Sequence, residues 1–388
     1  MNFDLTEPQQ LLAESTRRFI EREFPIAQMR AVFNDPKWDS RAWWQACAEL
    51  GWAAFFVPEE FGGAQISDSP WQDAAIVAEE VGRMVTPGPF LPSNVVAWAI
   101  AKAGTEAQKS QFLPGIVDGR LIPAWAYGEP GSLWDPGGLA ISADWDAHGL
   151  ILRGEKAYVE AGAQADLFLV TARTRAGLVQ VLLSADTPGV HIVPGRSIDL
   201  GKSFASIRFH DVSVSREALL GDPAAAPRVV DDLMNLALLL QCAESNGATG
   251  RAFDMTLEYM DQRRTFGRKL TSYQALKHRI ADNLLWLESC RATTDAVADA
   301  FDSGDERRID ELASVAKAYV GDRSVQIISD CTQLHGGIGI TWEHDLHLLQ
   351  RRATVNRAVF GTPEQHLQRL FRRRYVVKKP ENAERETR

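Results

Sequence analysis

The chain has 388 residues, of which 45% are apolar, and it carries a formal net charge of −9. This length allows a large buried core and predicts two or three structural units, while the acidic balance argues against nucleic acid or an anionic membrane surface as a general partner. No run of about 18 apolar residues predicts a membrane-spanning helix. The N-terminus lacks a basic head with an apolar run, and the four cysteines have no metal-ligand spacing, so we expect reduced thiols, a cytoplasmic location and no metal site.

Residues 1–120 are predicted to form an N-terminal all-α domain. Thr6 and Gln9 have the spacing of a capping box, and Pro8 fits the first turn, so a helix is expected to begin there. Apolar residues then recur at helical spacing in three further stretches. These stretches cover residues 40–50, 71–82 and 93–103.

Residues 121–225 are predicted to form a central β domain, because the apolar period changes near Leu121. Short runs rich in Val, Ile, Leu and Phe are separated by Gly, Pro and Asp, which is typical of strands joined by turns. In the last run, Ile207, Phe209 and Val212 face one side only if a bulge lies near Asp211. The predicted strands cover residues 151–153, 167–171, 178–183, 190–193 and 206–214.

Residues 226–377 return to a helical period and are predicted to form a C-terminal α-helical bundle. The highly charged residues 378–388 are predicted to be a frayed tail. The predicted helices cover residues 228–261, 271–301, 309–334 and 362–375.

One segment between the first two of these helices, residues 259–274, carries four cations around a Thr-Phe-Gly corner. Gly267 adopts backbone conformations that other residues disfavour, Phe266 offers a flat apolar face, and Arg263 can direct two donors at a phosphate. These properties suit a nucleotide diphosphate. The alternative is a plain helix C-terminus, in which the cations complement the helix dipole and Gly267 ends the helix.

A glycine-rich segment at residues 331–343 is the second motif, and the two segments together resemble the acyl-CoA dehydrogenase family. The family segments are Arg-x-x-Phe-Gly followed by Gln, and Gln-x-x-Gly-Gly-x-Gly. The resemblance implies that both segments hold the adenosine diphosphate part of FAD bound mainly to a neighbouring subunit. His335 either meets a phosphate there or packs inside the chain. The residues expected at this part of the cofactor are Arg263, Phe266, Gln274, Gln333, Leu334, His335, Gly336 and Gly337.

The resemblance also implies a fold and a reaction. The order of helices and strands is similar to the family's α+β fold, which has an N-terminal helical domain, a central β-barrel or sandwich domain and a C-terminal four-helix bundle. The implied reaction is the α,β-dehydrogenation of an acyl-CoA thioester in fatty acid or sterol side-chain oxidation. A carboxylate removes the α-proton, FAD accepts the β-hydrogen as hydride, and an electron-transferring flavoprotein reoxidises the flavin. A dimer, a homotetramer or a heterotetramer with a related subunit is implied.

The chain departs from the family in the two segments that cradle the flavin. Gly128 replaces the Thr of a Thr-Glu-Pro segment, and Tyr158 and Glu160 replace the Trp and Thr of a Gly-x-Lys-x-Trp-Ile-Thr segment. A carboxylate at position 160 beside a reduced, anionic flavin would need a partner or a proton. Thr362 is explained equally well as a helix N-cap with Gln365. The residues expected at the flavin are Tyr127, Gly128, Glu129, Ser132, Tyr158, Glu160 and Thr362.

The catalytic base is missing from both positions at which the family carries it. One position, in a Tyr-Glu-Gly-Thr segment, is Phe360 here, and the other, on the long helix, is Ala237. Glu244 follows Ala237 by seven residues, which is about 700° of helical turn and roughly 10 Å along the axis, so the two share a face. An acid at the end of an apolar run should have a raised pKa, which suits a base. The alternative is a glutamate paired with Arg or Lys of an adjacent helix.

Three functions remain open. The first is a catalytic FAD-dependent acyl-CoA dehydrogenase that uses Glu244 as base. The second is a non-catalytic subunit that completes a partner's FAD site, as in the family's two-subunit members that act on sterol side-chain thioesters. Its support is that the adenosine-side motifs are kept while the flavin-side and base motifs have changed. The third is a related flavin oxidase that passes electrons to oxygen.

Overall fold

A computed structural model describes residues 5–33, 40–131, 134, 138–145 and 149–376. Within these residues an N-terminal helical region, a curled seven-stranded sheet and a C-terminal helical region follow one another. This arrangement confirms the predicted α+β fold class. Ser132 and the predicted tail at residues 378–388 lie outside the described residues.

The N-terminal region packs its helices around buried aromatic side chains, among which Trp44 and Trp52 are almost completely excluded from solvent. The helical periods seen at residues 40–50, 71–82 and 93–103 correspond to α3, α4 and α5. The described helices are α1 (Glu7–Glu23), α2 (Met29–Phe33), α3 (Ser40–Ala48), α4 (Pro70–Arg83), α5 (Phe90–Ala103) and α6 (Glu106–Val117).

The central sheet has the strand order β1-β4-β2-β3-β7-β6, with β5 paired to the other side of β4. Strand β4 pairs in parallel with β1 and β2, and the other pairs are antiparallel. The predicted bulge is confirmed, because the register between β3 and β7 shifts after Leu152 and Asp211 takes a φ of 51°. The strands are β1 (Pro123–Ala126), β2 (Ser142–Trp145), β3 (Gly149–Glu160), β4 (Leu167–Thr174), β5 (Gly177–Ser184), β6 (Val190–Pro194) and β7 (Phe204–Ser215).

The C-terminal region is built around one helix of 37 residues, α7, which packs against α4, α5, α8, α9 and α10. A short hairpin of β8 and β9 connects α7 to α8. Helix α10 lies outside the four helical ranges predicted for this region. The elements are α7 (Ala226–Gln262), β8 (Arg264–Thr265), β9 (Arg268–Lys269), α8 (Gln274–Ser303), α9 (Glu306–His335), α10 (Leu346–Ala358) and α11 (Pro363–Phe371).

Two glycines set the distance between α4 and α7. A Cβ on Gly82 would lie 1.8 Å from the carbonyl oxygen of Glu244, and a Cβ on Gly247 would lie 1.8 Å from the carbonyl oxygen of Glu79. Side chains at these positions are therefore incompatible with the observed helix crossing. This close crossing places Glu244 at the centre of the fold, between the N-terminal helices and the C-terminal helices.

None of the helices within the described ranges combines the length and the apolar character needed to cross a bilayer.

Candidate active site

The Arg-x-x-Phe-Gly segment forms an exposed hairpin directly after α7. Arg263 follows the last residue of the helix with an extended backbone, and its guanidinium has no ion-pair partner in the described part of the chain. Phe266 is 93% exposed with a φ of 52°, and a Cβ on Gly267 would meet nothing within 4 Å. Gln274 is exposed at the start of α8. The hairpin thus presents a free cation and a bare aromatic ring for a ligand or another chain to cover.

The glycine-rich segment lies beside this hairpin. His335, at the end of α9, stacks on Tyr259 near the end of α7 with ring centroids 4.5 Å apart, and its Nδ1 is 2.8 Å from the carbonyl oxygen of Cys331. Its side chain packs inside the chain, as does that of Leu334. The exposed residues of this segment are Gln333, Gly336 and Gly337. We call the exposed residues named for the two segments the adenosine-side surface. They are Arg263, Phe266, Gln274, Gln333, Gly336 and Gly337.

The first flavin-side segment is held by contacts within the chain. The buried carboxylate of Glu129 accepts hydrogen bonds from the backbone N–H groups of Ala140, at 2.5 Å, and Ile141, at 3.2 Å. It also accepts one from Lys156 Nζ, at 2.6 Å. Burial lowers the pKa of Lys156 to about 8, although the attraction of Glu129 opposes this shift. Glu129 therefore anchors this segment to β3 through an ion pair that the chain itself provides.

The loss of the family's Thr at position 128 has a physical explanation. A Cβ on Gly128 would lie 3.0 Å from the ring of Trp134, which is closer than most side chains tolerate. Trp134 in turn accepts a hydrogen bond from the hydroxyl of Tyr127 at its carbonyl oxygen, 3.2 Å away. Its ring centroid lies 5.0 Å from that of Phe360, and its Nε1 donates to the carbonyl oxygen of Ala358 at 3.2 Å. Trp134 thus joins the first flavin-side segment to the segment where the family carries its base.

Phe360 is buried and has a φ of 63°, a strained conformation for a residue with a Cβ. Lys317 Nζ donates to the carbonyl oxygen of Val359 at 2.7 Å, and His366 Nε2 lies 2.9 Å from the carbonyl oxygen of Phe360. Thr362 accepts a hydrogen bond from the N–H of Gln365, which completes a capping box at the start of α11. The N-cap interpretation of Thr362 is confirmed.

A cavity of about 320 Å³ opens beside these aromatic residues. Tyr127, Trp134 and Phe360 line one side, and Asp231 and Arg369 line the other. Arg369 donates to Asp231 at 3.1 Å, and burial raises the pKa of Asp231 even though this arginine opposes the shift. The cavity has an aromatic wall and a cationic edge, to which Arg372 and Arg373 also contribute.

The second flavin-side segment ends β3. Tyr158 has a φ of 55° and is 55% exposed, so its ring is open to a ligand or another chain. Glu160 is buried, and its Oε1 accepts a hydrogen bond from Lys202 Nζ at 3.0 Å. Its Oε2 has no hydrogen-bond partner within the described ranges. Burial raises the pKa of Glu160 despite the nearby Lys202.

Glu244 is the centre of a buried ion-pair network. Arg352 donates to its Oε1 at 2.6 Å, and Lys202 and Asn356 contact its Oε2 at 2.9 Å and 2.8 Å. Burial by itself would raise the pKa of Glu244, but Lys202 and Arg352 outweigh burial and hold the pKa below its ordinary value. The expectation of a raised pKa is therefore wrong, because the sequence did not show these partners. The observed geometry is that of the alternative, a glutamate paired with basic residues.

The adenosine-side surface fits FAD, because Arg263, which could bind a diphosphate, is exposed and forms no ion pair with the residues that the structure describes. The flavin-side residues fit less simply. Both oxygens of Glu129 accept hydrogen bonds from this chain, whereas Glu160 keeps one buried oxygen that no described residue contacts by a hydrogen bond. If FAD binds here, Arg263 and Gln274 would meet its adenosine diphosphate part, and Tyr158 and Glu160 are the candidates on the flavin side.

Several residues of this site were missed by the sequence analysis. No local sequence pattern identifies these residues as part of the site. They are Trp134, Asp199, Lys202 and Arg352. Arg352 is fully buried while the adjacent Arg351 is partly exposed, although both follow the same leucine-rich stretch. The fold brings α10 against α7 and the loop before β7, and this packing buries Arg352 but not Arg351.

Comparison with known proteins identifies the family. The family models for the N-terminal and C-terminal domains of acyl-CoA dehydrogenase match residues 6–120 and 228–374. The acyl-CoA dehydrogenase IpdE2 of Mycobacterium tuberculosis is 30% identical over 94% of this chain and 96% of its own length. The mitochondrial short-chain specific acyl-CoA dehydrogenase of Bos taurus is 29% identical over 97% of this chain and 91% of its own length. The crystal structure of the ChsE4-ChsE5 complex from Mycobacterium tuberculosis is similar, with a TM-score of 0.86 and 25% identity, and the match covers 98% of this chain and 100% of that chain. The chain therefore belongs to the acyl-CoA dehydrogenase family and is an FAD-dependent oxidoreductase.

Proposed function

We propose that this chain takes part in the α,β-dehydrogenation of an acyl-CoA thioester and that an electron-transferring flavoprotein accepts the electrons. The observation that carries this proposal is the adenosine-side surface. Arg263 and Phe266 are exposed, as are the glycines at 336 and 337, in the pattern that the family uses for FAD. Such a surface suits the adenosine end of an FAD that a neighbouring subunit also holds.

The cavity beside Phe360 supports an acyl-CoA as the substrate. Its aromatic wall suits the thioester and the acyl group, because apolar surface is removed from water there. Its edge carries the exposed Arg372, which suits the anionic phosphates of coenzyme A, while Arg369 is paired with Asp231. When FAD is bound, it supplies the hydride acceptor, and the chain has to position the thioester and remove the α-proton.

Proton removal is the step that this chain alone explains least well. Phe360 and Ala237 occupy the two places where the family carries its carboxylate, and neither side chain accepts a proton. Glu244 is the remaining candidate, but it accepts hydrogen bonds from Arg352, Lys202 and Asn356. A carboxylate held by two cations is a weak base, because protonation would break both ion pairs.

This observation favours a second function, that of a subunit in a heteromeric acyl-CoA dehydrogenase. In such an assembly the adenosine-side surface of this chain completes the FAD site of a related partner, which supplies the base. The similarity to the ChsE4-ChsE5 complex, a protein of two different chains by its description, agrees with this assembly. A homodimer or homotetramer corresponds to the self-sufficient alternative.

The ratio of FAD to chain in the protein purified alone separates these two assemblies. One FAD per chain, together with a homomeric mass, supports a self-sufficient enzyme. A chain that is colourless alone but gains flavin on co-expression with a second family member supports the heteromeric subunit. Failure to bind FAD in both preparations would refute the proposed function.

A further inference from the structure

Five charged side chains meet in the interior of the chain, and we call them the buried charge cluster: Glu160, Asp199, Lys202, Glu244 and Arg352. Each is 8% exposed or less. They come from the end of β3, the loop before β7, helix α7 and helix α10. Charges this deeply buried are stable only when they are paired and hydrogen-bonded.

The cluster contains three carboxyl groups but only two cations, so it carries a net charge of −1 when every group is ionised. An uncompensated buried charge is costly, and the simplest remedy is one proton on one of the carboxyl groups. No further cation contacts these carboxyl groups in the described part of the chain.

The hydrogen bonds single out one of the three carboxyl groups as different from the other two. Both oxygens of Asp199 accept from nitrogen donors, which are the Arg352 guanidinium and the backbone N–H groups of Gly201 and Lys202. Both oxygens of Glu244 accept as well. Of the three carboxyl groups, only Glu160 has an oxygen, Oε2, that accepts no hydrogen bond from any residue that the structure describes.

The electrostatics of the neighbouring groups agree with this assignment. Burial raises the pKa of Glu160, and the nearby Glu244 raises it further, while Lys202 and Arg352 oppose the shift. The pKa of Glu244 is shifted in the opposite direction, because the two cations outweigh its burial. Burial alone would lower the pKa of Lys202, but Glu160 and Glu244 together raise it. The pKa values of the two glutamates are therefore shifted in opposite directions although they share Lys202.

We propose that Glu160 is a neutral carboxylic acid in the folded chain and that it serves as a hydrogen-bond donor through Oε2. The side chain borders a small cavity of about 10 Å³, which is at the lower limit for one water molecule. Thr86 Oγ1 is a second buried oxygen for which the described residues provide no partner, and Thr86 also borders this cavity. The cavity is thus bordered by two hydrogen-bond donors, the Glu160 carboxylic acid and the Thr86 hydroxyl, and has little room for water.

The role of this donor rests on the proposed function. Position 160 is where the family segment places a Thr beside the flavin, and a neutral carboxylic acid offers an O–H as a Thr hydroxyl does. An ionised Glu160 would instead oppose the negative charge of a reduced flavin. Oε2 is excluded from solvent in the chain without FAD, so its O–H meets the flavin only when FAD binding opens the cavity that Glu160 borders. Glu160 is then a positioning residue for the flavin, and the charge balance of the cluster holds its proton in place.

Infrared difference spectroscopy on the FAD-free chain at pH 7 tests the protonation state. Subtracting the spectrum of Glu160→Gln from that of the unmodified chain should reveal the C=O stretch of a protonated carboxylic acid. Glu258→Gln, the same change at an exposed position of α7, should leave that band in place. Absence of the band from the unmodified chain, or its survival in Glu160→Gln, would overturn the proposal.

A second variant tests the charge count itself. Glu244→Gln leaves two carboxyl groups and two cations, so Glu160 should ionise and the same band should disappear. If the band persists in Glu244→Gln, burial alone holds the proton and the charge-balance argument is wrong. Glu160→Thr, which also leaves two acids and two cations, replaces Glu160→Gln if the latter does not fold.

The donor role is tested on the FAD-loaded assembly. Reduction of the flavin should shift the frequency of the Glu160 band, and an unchanged frequency would overturn the donor role. A chain that never binds FAD would count against the proposed function instead, because the FAD-free spectra still decide the state of Glu160.

Discussion

Glu244→Gln separates the two roles that a buried glutamate could have in this fold. As a base, Glu244 would be essential for turnover and of little importance for stability. As the centre of an ion-pair network, it should be important for stability. The structure supports the second role, because Arg352, Lys202 and Asn356 all contact its carboxylate.

The expected loss of stability follows from what the substitution leaves behind. Removing one partner of a buried ion pair costs about 3–5 kcal/mol, mainly because the other charge is left uncompensated. Here Arg352 keeps Asp199 and Lys202 keeps Glu160, so neither cation is left alone. The loss should therefore lie near the lower end, at about 3 kcal/mol.

The pH dependence provides a second check. The folded chain lowers the pKa of Glu244, and a group of this kind contributes stability above its unfolded pKa and loses it as the pH falls through the folded pKa. The difference in unfolding free energy between the unmodified chain and Glu244→Gln should be complete at pH 7. It should shrink as the pH falls below about 4.3, the ordinary value for glutamate.

Urea unfolding at pH 7 measures this difference, with Glu258→Gln as the matched control. Glu258 is an exposed residue of the same helix, and its ion-pair partner Arg251 is 3.9 Å away. The change in unfolding free energy caused by Glu258→Gln should therefore stay within about 0.5 kcal/mol. Glu244→Gln with unchanged stability but abolished turnover would refute the network role and restore Glu244 as the base.

Three further predictions concern the cofactor surface and the segment around Phe360. Arg263→Ala should lower FAD occupancy, because it removes a contact to the diphosphate. It should not lower the unfolding midpoint of the FAD-free chain, because the Arg263 guanidinium is exposed. Arg264→Ala is the control, and full FAD retention by Arg263→Ala would contradict the diphosphate contact. Burial lowers the pKa of Lys317 to about 7, so the folded chain binds fewer protons than the unfolded chain above that pH. The stability of the unmodified chain relative to Lys317→Met should accordingly rise between pH 7 and pH 10, and a flat profile would show that this pKa is not lowered. Phe360→Glu should accelerate anaerobic reduction of bound FAD by an acyl-CoA about 10²-fold or more if the chain lacks only a base, whereas an unchanged rate would place the missing group elsewhere.

Much of the fold was predictable because long helices carry a strong periodic signal. The helical periods at residues 228–261 and 309–334 lie within α7 and α9, and the alternation around Asp211 predicted the bulge. Strands β1 and β2 were missed because each has only four residues, too few to establish a period. The predicted helical ranges do not include α10, because its buried face contains Arg352 and Asn356, which interrupt the apolar stripe.

The candidate site was predictable only where its residues are close in sequence. The spacing of Gly336 and Gly337, and that of Arg263 and Phe266, pointed to FAD through the family resemblance. The environment of Glu244 was not predictable, because Arg352 lies 108 positions away in the chain. Helical spacing correctly placed Glu244 on α7, but the pKa of a buried acid depends on tertiary partners that no local pattern shows.

The most direct test of the account is an anaerobic titration of the FAD-loaded assembly with a panel of acyl-CoA thioesters. The flavin absorbance is recorded during the titration. The account predicts that at least one thioester bleaches the flavin and yields an equal amount of the α,β-unsaturated product, while the corresponding free acid does not. A flavin that stays oxidised with every thioester would contradict the proposed dehydrogenation. Stoichiometric hydrogen peroxide formation in air would instead identify an oxidase.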